Sequence, residues 1–135
     1  MRKFILTILC LSICISALGC SAEHLSTEKI RDIEFTVVDE ENIPEELEEM
    51  IDEKEELPFK LSYADGGELY IAVGYGKQPT SGYSIEVKEL YETRNAVYIH
   101  TNLIGPAKDE MILERATYPY IVVKLEFIDK NVVFE

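Results

Sequence analysis

The chain has 135 residues, of which 26 are acidic and 13 are basic, so its formal net charge at neutral pH is −13. This length fits one domain with a single modest core and is too short for two. The acidic balance argues against nucleic-acid binding, because phosphate contacts need a basic face. An apolar content of 47% excludes a chain that is disordered throughout.

Residues 1–19 have the layout of a bacterial signal peptide. Arg2 and Lys3 precede residues 4–19, which carry no charge and are shorter than the ~20 residues of a membrane-spanning helix. The run closes on ALGC at residues 17–20, which resembles a lipobox. That resemblance implies a lipid on Cys20 and anchoring at the extracytoplasmic face of the cell membrane. Secretion with a free Cys20 and an uncleaved signal anchor remain the alternatives.

The other two cysteines, Cys10 and Cys14, lie inside the apolar run and would leave with the signal peptide. A mature chain with Cys20 alone cannot form an internal disulfide, and the absence of a CxxC pair argues against thiol-redox chemistry. We expect residues 20–32 to act as a polar tether and residues 33–135 to form a single domain.

The first elements of this domain are a strand and a helix. Residues 33–38 alternate and are β-branched, which predicts a strand. Pro44 and the apolar spacing of Leu47, Met50 and Ile51 predict a short acidic helix at about 44–54. Its carboxylates could form a calcium site, an acidic docking face or a solvated helix face. The last is favoured, because the spacing of a calcium-binding loop is absent.

From Leu57 onward the pattern is that of β-structure. Alternating apolar residues predict strands near residues 59–63, 69–75, 83–87, 97–103, 120–127 and 131–134, the last two joined by a tight turn at Asp129 and Lys130. Residues 108–116 fit either a short helix or an irregular loop. The predicted fold class is α+β, mainly β, with about seven largely antiparallel strands and the acidic helix.

The most distinctive segment is GYGKQPTSGY at residues 74–83. Its glycines and lysine do not have the order of a phosphate-binding loop, and no helix follows. It is either a plain strand connection or a rigid exposed loop that presents Gln78, Thr80 and Tyr83 to a partner. Tyr118 and Tyr120, on either side of Pro119, are a second candidate contact with a partner. The competing interpretation is that these tyrosines pack in the core.

The sequence gives little support for a catalytic site or a metal site. His100 is the only histidine of the predicted domain, and without a second histidine or a cysteine we expect no transition-metal site and no cofactor. Ser81, Ser84 and His100 could belong to a hydrolytic set, but the G-x-S-x-G elbow is absent and no carboxylate is seen to pair with His100. We therefore expect no enzymatic activity.

Two resemblances suggest a role. GYGKQPTSGYSIEVKEL, TYPYIVVKLEF and the closing NVVFE resemble the C-terminal domain of the protease complex subunit PrcB family over residues 68–135, with weaker similarity back to Ile33. The sequence departs from that family at Ser81, often glycine, and at residues 114–116, often Gln-Ala-Leu. The resemblance implies a non-catalytic accessory subunit of a surface protease complex. Residues 79–83 are also similar to a loop of chagasin-type cysteine protease inhibitors.

The sequence thus predicts a lipid-anchored protein-binding domain whose partner could be a protease. The alternative is a protease inhibitor that uses residues 76–83 in a chagasin-like manner. The candidate partner-binding residues are Gly76, Gln78, Pro79, Thr80, Gly82, Tyr83, Tyr118, Pro119 and Tyr120.

Overall fold

The computed structural model describes residues 28–135 as two four-stranded sheets and one α-helix. The first sheet has the order β1–β5–β6–β8, and the second has the order β2–β7–β4–β3. In chain order the strands are β1 Lys29–Asp32, β2 Thr36–Val37, β3 Pro58–Asp65, β4 Glu68–Tyr75, β5 Ser84–Thr93, β6 Ala96–Ile104, β7 Tyr120–Glu126 and β8 Asn131–Phe134; helix α1 is Glu45–Lys54, preceded by a 3₁₀ turn at Glu40–Asn42. The predicted class, α+β and mainly β, is confirmed.

The two sheets pack face to face around the main core. Leu69, Ile71 and Val73 of β4 meet Val97 and Ile99 of β6 across the interface. Alternating residues of a strand point to opposite faces, so the remaining residues of β4 point to the other side of its sheet. Helix α1 covers that side with Leu47 and Ile51, both fully buried. Burial on both faces explains why Glu68 is the only charged residue of β4.

The helix lies where the sequence places it, beginning one residue later than Pro44. The predicted strand at 33–38 is wrong in its bounds, because the chain changes sheets there. β1 pairs with β5 and β2 pairs with β7, while Ile33 between them is buried in the core. An apolar, β-branched segment satisfies strand propensity equally well when it forms the corner of a sandwich.

The tight turn predicted at Asp129 and Lys130 is present, but the two strands that it joins do not pair with each other. β7 and β8 lie in different sheets, and β8 pairs with β6 in parallel. The turn at Asp129 and Lys130 therefore carries the chain from one sheet to the other. Residues 108–116 form an irregular loop, which settles the ambiguity between helix and loop.

The predicted signal peptide, Cys20 and most of the tether lie outside the described residues. The last residues of the predicted tether, Lys29–Asp32, form β1 and pair with β5, so the first sheet begins before residue 33. Within residues 28–135, no helix is both long enough and apolar enough to cross a membrane.

Candidate functional site at one end of the sandwich

The structure brings the two predicted contact segments, residues 76–83 and 118–120, to the same end of the sandwich. β4 runs into the first segment and β7 starts at Tyr120, and these two strands are neighbours in one sheet. Beyond them, Gln78 and Thr117 form an antiparallel bridge, with N···O distances of 2.8 and 3.0 Å. Both segments therefore contribute to one surface. We call residues 76–83 and 105–119 the loop surface.

Internal hydrogen bonds hold the first loop in place. The Thr117 hydroxyl donates to the carbonyl of Thr80 (2.7 Å), and the Thr80 hydroxyl donates to the carbonyl of Ser81 (3.0 Å). The Gln78 side chain donates back to the carbonyl of Tyr75 (3.2 Å). Gln78 and Thr80 are half-buried, as is Tyr83, whereas Pro79 is exposed. Gln78 and Thr80 thus shape the loop more than they project from it.

Gly76 and Gly82 allow the backbone of this loop to turn. Their φ angles are 75° and 90°, in the region that side chains with a Cβ rarely adopt. A Cβ on Gly76 would lie 2.9 Å from Pro58 Cδ, and one on Gly82 would lie 2.8 Å from Pro106 Cβ. The loop conformation therefore depends on glycine at both positions.

Within residues 118–120, Tyr120 packs beside the core and Tyr118 lies at the surface. The carbonyl of Pro119 accepts a hydrogen bond from the Tyr75 N–H (3.1 Å) and so extends the β4–β7 pairing. The ring of Tyr120 packs beside Phe59, with ring centroids 6.5 Å apart. Burial raises the pKa of the Tyr120 hydroxyl, as does the nearby Glu40 carboxylate. Tyr118 is half-buried and, with Val37, lines a shallow groove.

The exposed apolar residues 111–113, which the sequence analysis missed, lie in the loop beside residues 76–83. Met111, Ile112 and Leu113 are 97%, 38% and 58% exposed, and Ile104 at the end of β6 is 42% exposed. The backbone of Leu113 is joined to Ser81: the Ser81 N–H donates to the Leu113 carbonyl (3.0 Å), and the Leu113 N–H donates to the Ser81 Oγ (2.8 Å). The signal was present in the sequence, as an apolar MIL run between the charged KDE and ER.

The loop surface is close to neutral in an acidic protein. Its charged residues comprise three basic and three acidic side chains: Lys77, Lys108, Asp109, Glu110, Glu114 and Arg115. The excess negative charge lies elsewhere, notably on helix α1, whose sequence is EELEEMIDEK. Of the described residues, the carboxylates of this helix form no group that could hold a metal ion. An acidic partner would therefore meet less electrostatic repulsion at the loop surface than at helix α1.

The serine–histidine set considered from the sequence does not assemble. Ser84 is paired with Ile104, four residues along β6 from His100, which corresponds to roughly 13 Å at the rise of a β-strand. The Ser81 hydroxyl lies in the loop and accepts the Leu113 N–H. A cleft lies elsewhere, at the corner between β1 and β2, where Arg31, Glu34 and Lys124 line an open, polar depression.

Comparison with protein families gives one match. The sequence model of the PrcB C-terminal family matches residues 69–126, which run from β4 to the end of β7 and contain the whole loop surface. Comparisons with curated proteins and with solved structures gave no significant match. The match is shorter than the resemblance noted from residues 68–135: it covers GYGKQPTSGYSIEVKEL and all but the last residue of TYPYIVVKLEF, and it does not include the closing NVVFE. Residues 69–126 of the chain therefore match the model of the PrcB C-terminal family, which supports the resemblance noted from the sequence.

Proposed function

We propose that the protein is a non-catalytic accessory subunit of an extracytoplasmic protein complex, and that the loop surface binds the partner. The family of residues 69–126 supports association with a protease complex. The observation that carries the proposal is the position of three consecutive exposed apolar residues, 111–113, directly beside the loop at 76–83.

Exposed apolar side chains at this density are unusual on a loop. Contact with a partner would remove Met111 and Leu113 from water, at ~25 cal/mol per Å² of apolar area. Methionine is enriched in interfaces and adapts its shape to irregular surfaces. The hydrogen bonds between Leu113 and Ser81 fix the backbone before binding, which reduces the entropy that association would otherwise cost.

A lipid on Cys20 is the second part of the proposal. The apolar run at 4–19 followed by ALGC supports it, and the acidic domain would be repelled by anionic headgroups, so that it stands away from the bilayer. We expect the intact protein to incorporate labelled palmitate and to be cleaved before residue 20, and we expect Cys20→Ala to abolish the label and to keep residues 1–19, because cleavage follows lipidation. Intact protein that stays in membranes without label, or label that persists in Cys20→Ala, would contradict lipid anchoring at Cys20.

The protein-binding role is tested by co-purification from membranes of the source cells. Intact protein is compared with Met111→Ser/Leu113→Ser and with Ile30→Ser as a matched control, because Ile30 is 59% exposed and lies on β1, outside the loop surface. We expect intact protein and the control to retain a protease-complex component that the double variant loses, with unchanged circular dichroism in all three. Equal recovery by all three would contradict the proposal.

Protease inhibition is the second candidate, and the position of residues 76–83 at the end of a two-sheet sandwich favours it. The two functions differ in their effect on the partner. An inhibitor lowers the turnover of a purified protease, and substitution of the exposed Pro79 by Arg should relieve that inhibition. An accessory subunit leaves turnover unchanged or raises it.

A further inference from the structure

Three side chains with metal-binding chemistry meet on the outer face of the first sheet. Glu89 of β5 lies directly opposite His100 of β6 in the antiparallel register. Glu135 follows β8 on the other side of β6, where its N–H donates to the carbonyl of Ile99 (2.8 Å). Three neighbouring strands thus place a carboxylate on each side of one imidazole. One potential ligand atom from each side chain lies within 4.8 Å of the other two.

A β-bulge creates this arrangement. From Ser84 to Val87, β5 pairs with β6 in a register that would place Lys88 opposite His100. The register shifts between Val87 and Glu89, and Glu89 takes that position instead. Bulges commonly re-aim side chains at functional sites. Here the bulge brings a carboxylate into register with the imidazole, where the unshifted register would have placed a lysine.

The glutamate side chains can rotate to bring their oxygens within bonding distance of an ion. Zinc bonds to imidazole nitrogen and carboxylate oxygen at about 2.0–2.2 Å, so its ligand atoms are separated by about 3.3 Å. Glu89 and Glu135 are exposed and His100 is half-buried, so rotation of two glutamate side chains would shorten the present separations without moving the backbone. A mixed set of one nitrogen and two oxygens suits Zn²⁺, whereas Ca²⁺ and Mg²⁺ prefer oxygen alone.

The sequence suggested no transition-metal site, because neither carboxylate could be seen to lie beside His100; the strand pairing brings both there. We propose that Glu89, His100 and Glu135 form a binding site for a divalent transition-metal ion of the Zn²⁺ type. Three protein ligands leave a fourth position for water or for a group from a partner. A bound ion would join β5, β6 and the residue that follows β8. Because β8 is a short edge strand, metal binding would stabilise the parallel pairing that closes the first sheet.

The test is a Zn²⁺ titration of the full chain in detergent, followed by calorimetry and residue-resolved NMR. Any cysteine that remains a free thiol, all of them lying in residues 1–20, is alkylated beforehand so that it cannot bind the metal. We expect one saturable site, with shifts centred on residues 89, 100 and 135, and a melting temperature that rises by several degrees at saturation. Excess Ca²⁺ should not displace the ion.

Matched variants decide which residues bind. His100→Gln and Glu135→Gln should each weaken Zn²⁺ binding at least about tenfold while preserving the metal-free melting temperature. Glu86→Gln is the control, because Glu86 is an exposed carboxylate on the same strand, opposite Asn102, and should bind Zn²⁺ as the unaltered chain does. The absence of saturable binding would overturn the proposal, as would binding that survives His100→Gln or shifts centred on helix α1.

Discussion

At the scale of single residues, Glu92 joins the first and last parts of the described chain. Its carboxylate accepts hydrogen bonds from Arg31 on β1 and from Lys130 before β8, each at 2.7 Å, and its side chain is only 13% exposed. Lys130 also donates to the carbonyl of Thr93 (2.9 Å). The hydrogen bond from Lys130, followed by that from Arg31, lowers the pKa of the Glu92 carboxyl.

This lowered pKa gives a prediction about acid stability. Because the folded-state pKa lies below the ordinary value of 4.5, the stabilisation is fully present above pH 4.5 and is lost as the pH falls through the folded-state pKa. We expect Glu92→Gln to lower the free energy of unfolding by about 1–2 kcal/mol at neutral pH. In urea unfolding the difference from the unaltered protein should shrink on acidification. A deficit that is equal at neutral and strongly acidic pH would contradict this account.

Gly82 gives a second prediction at this scale. Gly82→Ala imposes a φ of 90° on alanine and brings its Cβ to 2.8 Å from Pro106 Cβ, so we expect a loss of about 1–3 kcal/mol in the free energy of unfolding. Gly105→Ala is the control. A Cβ there would lie 3.5 Å from Tyr83 Cε1, an ordinary contact, and should change stability by less than about 0.5 kcal/mol. Equal effects of the two substitutions in chemical unfolding would refute the role of the positive φ.

At the scale of elements, helix α1 closes the outer side of the second sheet. Leu47 and Ile51 are fully buried against Phe59, Ala72 and Val122. A hydrogen bond of 2.8 Å from the Tyr63 hydroxyl to Glu46 ties the helix to β3. An isolated helix of 10 residues is marginal in water, so the helix depends on this packing.

We therefore expect Ile51→Ala to lower the free energy of unfolding by about 2–5 kcal/mol, because it leaves a cavity under the helix. Glu49→Ala, at an exposed position of the same helix, should change it by less than about 0.5 kcal/mol. Urea unfolding monitored by circular dichroism measures both. If Ile51→Ala unfolds as the unaltered protein does, the helix does not contribute to the core in the way described.

Local patterns in the sequence predicted most elements of this fold. They did not predict which distant strands would pair. The alternation of β4 and the 3.6-residue spacing of α1 are properties of short segments, so both elements could be located from sequence. The crossing of residues 33–35 between sheets and the parallel pairing of β8 with β6 depend on partners distant in the chain. A strand pattern states which residues are apolar and does not state which strand they will face.

The candidate site was predictable to a similar extent. The glycines and Pro79 indicated a shaped loop, and the tyrosines at 118 and 120 indicated a second place. That Thr117 would bridge to Gln78 and join the two could not be inferred, because a bridge between loops has no local pattern. The apolar run at 111–113 was visible, but only its 38–97% exposure distinguishes it from a buried segment.

At the scale of the whole molecule, the exposed apolar residues of the loop surface and the excess negative charge lie on different parts of the surface. The exposed residues 111–113 and the near-neutral loop surface lie at one end, while helix α1 and its carboxylates cover the outer side of one sheet. An acidic exterior keeps the protein soluble and away from anionic headgroups. One end of balanced charge would then direct association to a defined orientation, as the proposed accessory role requires.

The most direct measurement of the central claim is site-specific photo-crosslinking in intact membranes. A photoreactive amino acid replaces Met111 in one variant and Ile30 in another, two exposed apolar positions of which only the first belongs to the loop surface. We predict that position 111 gives a discrete adduct with a component of a protease complex and that position 30 does not. Equal adducts from both positions, or an adduct from position 30 alone, would contradict the assignment of the loop surface as the binding site.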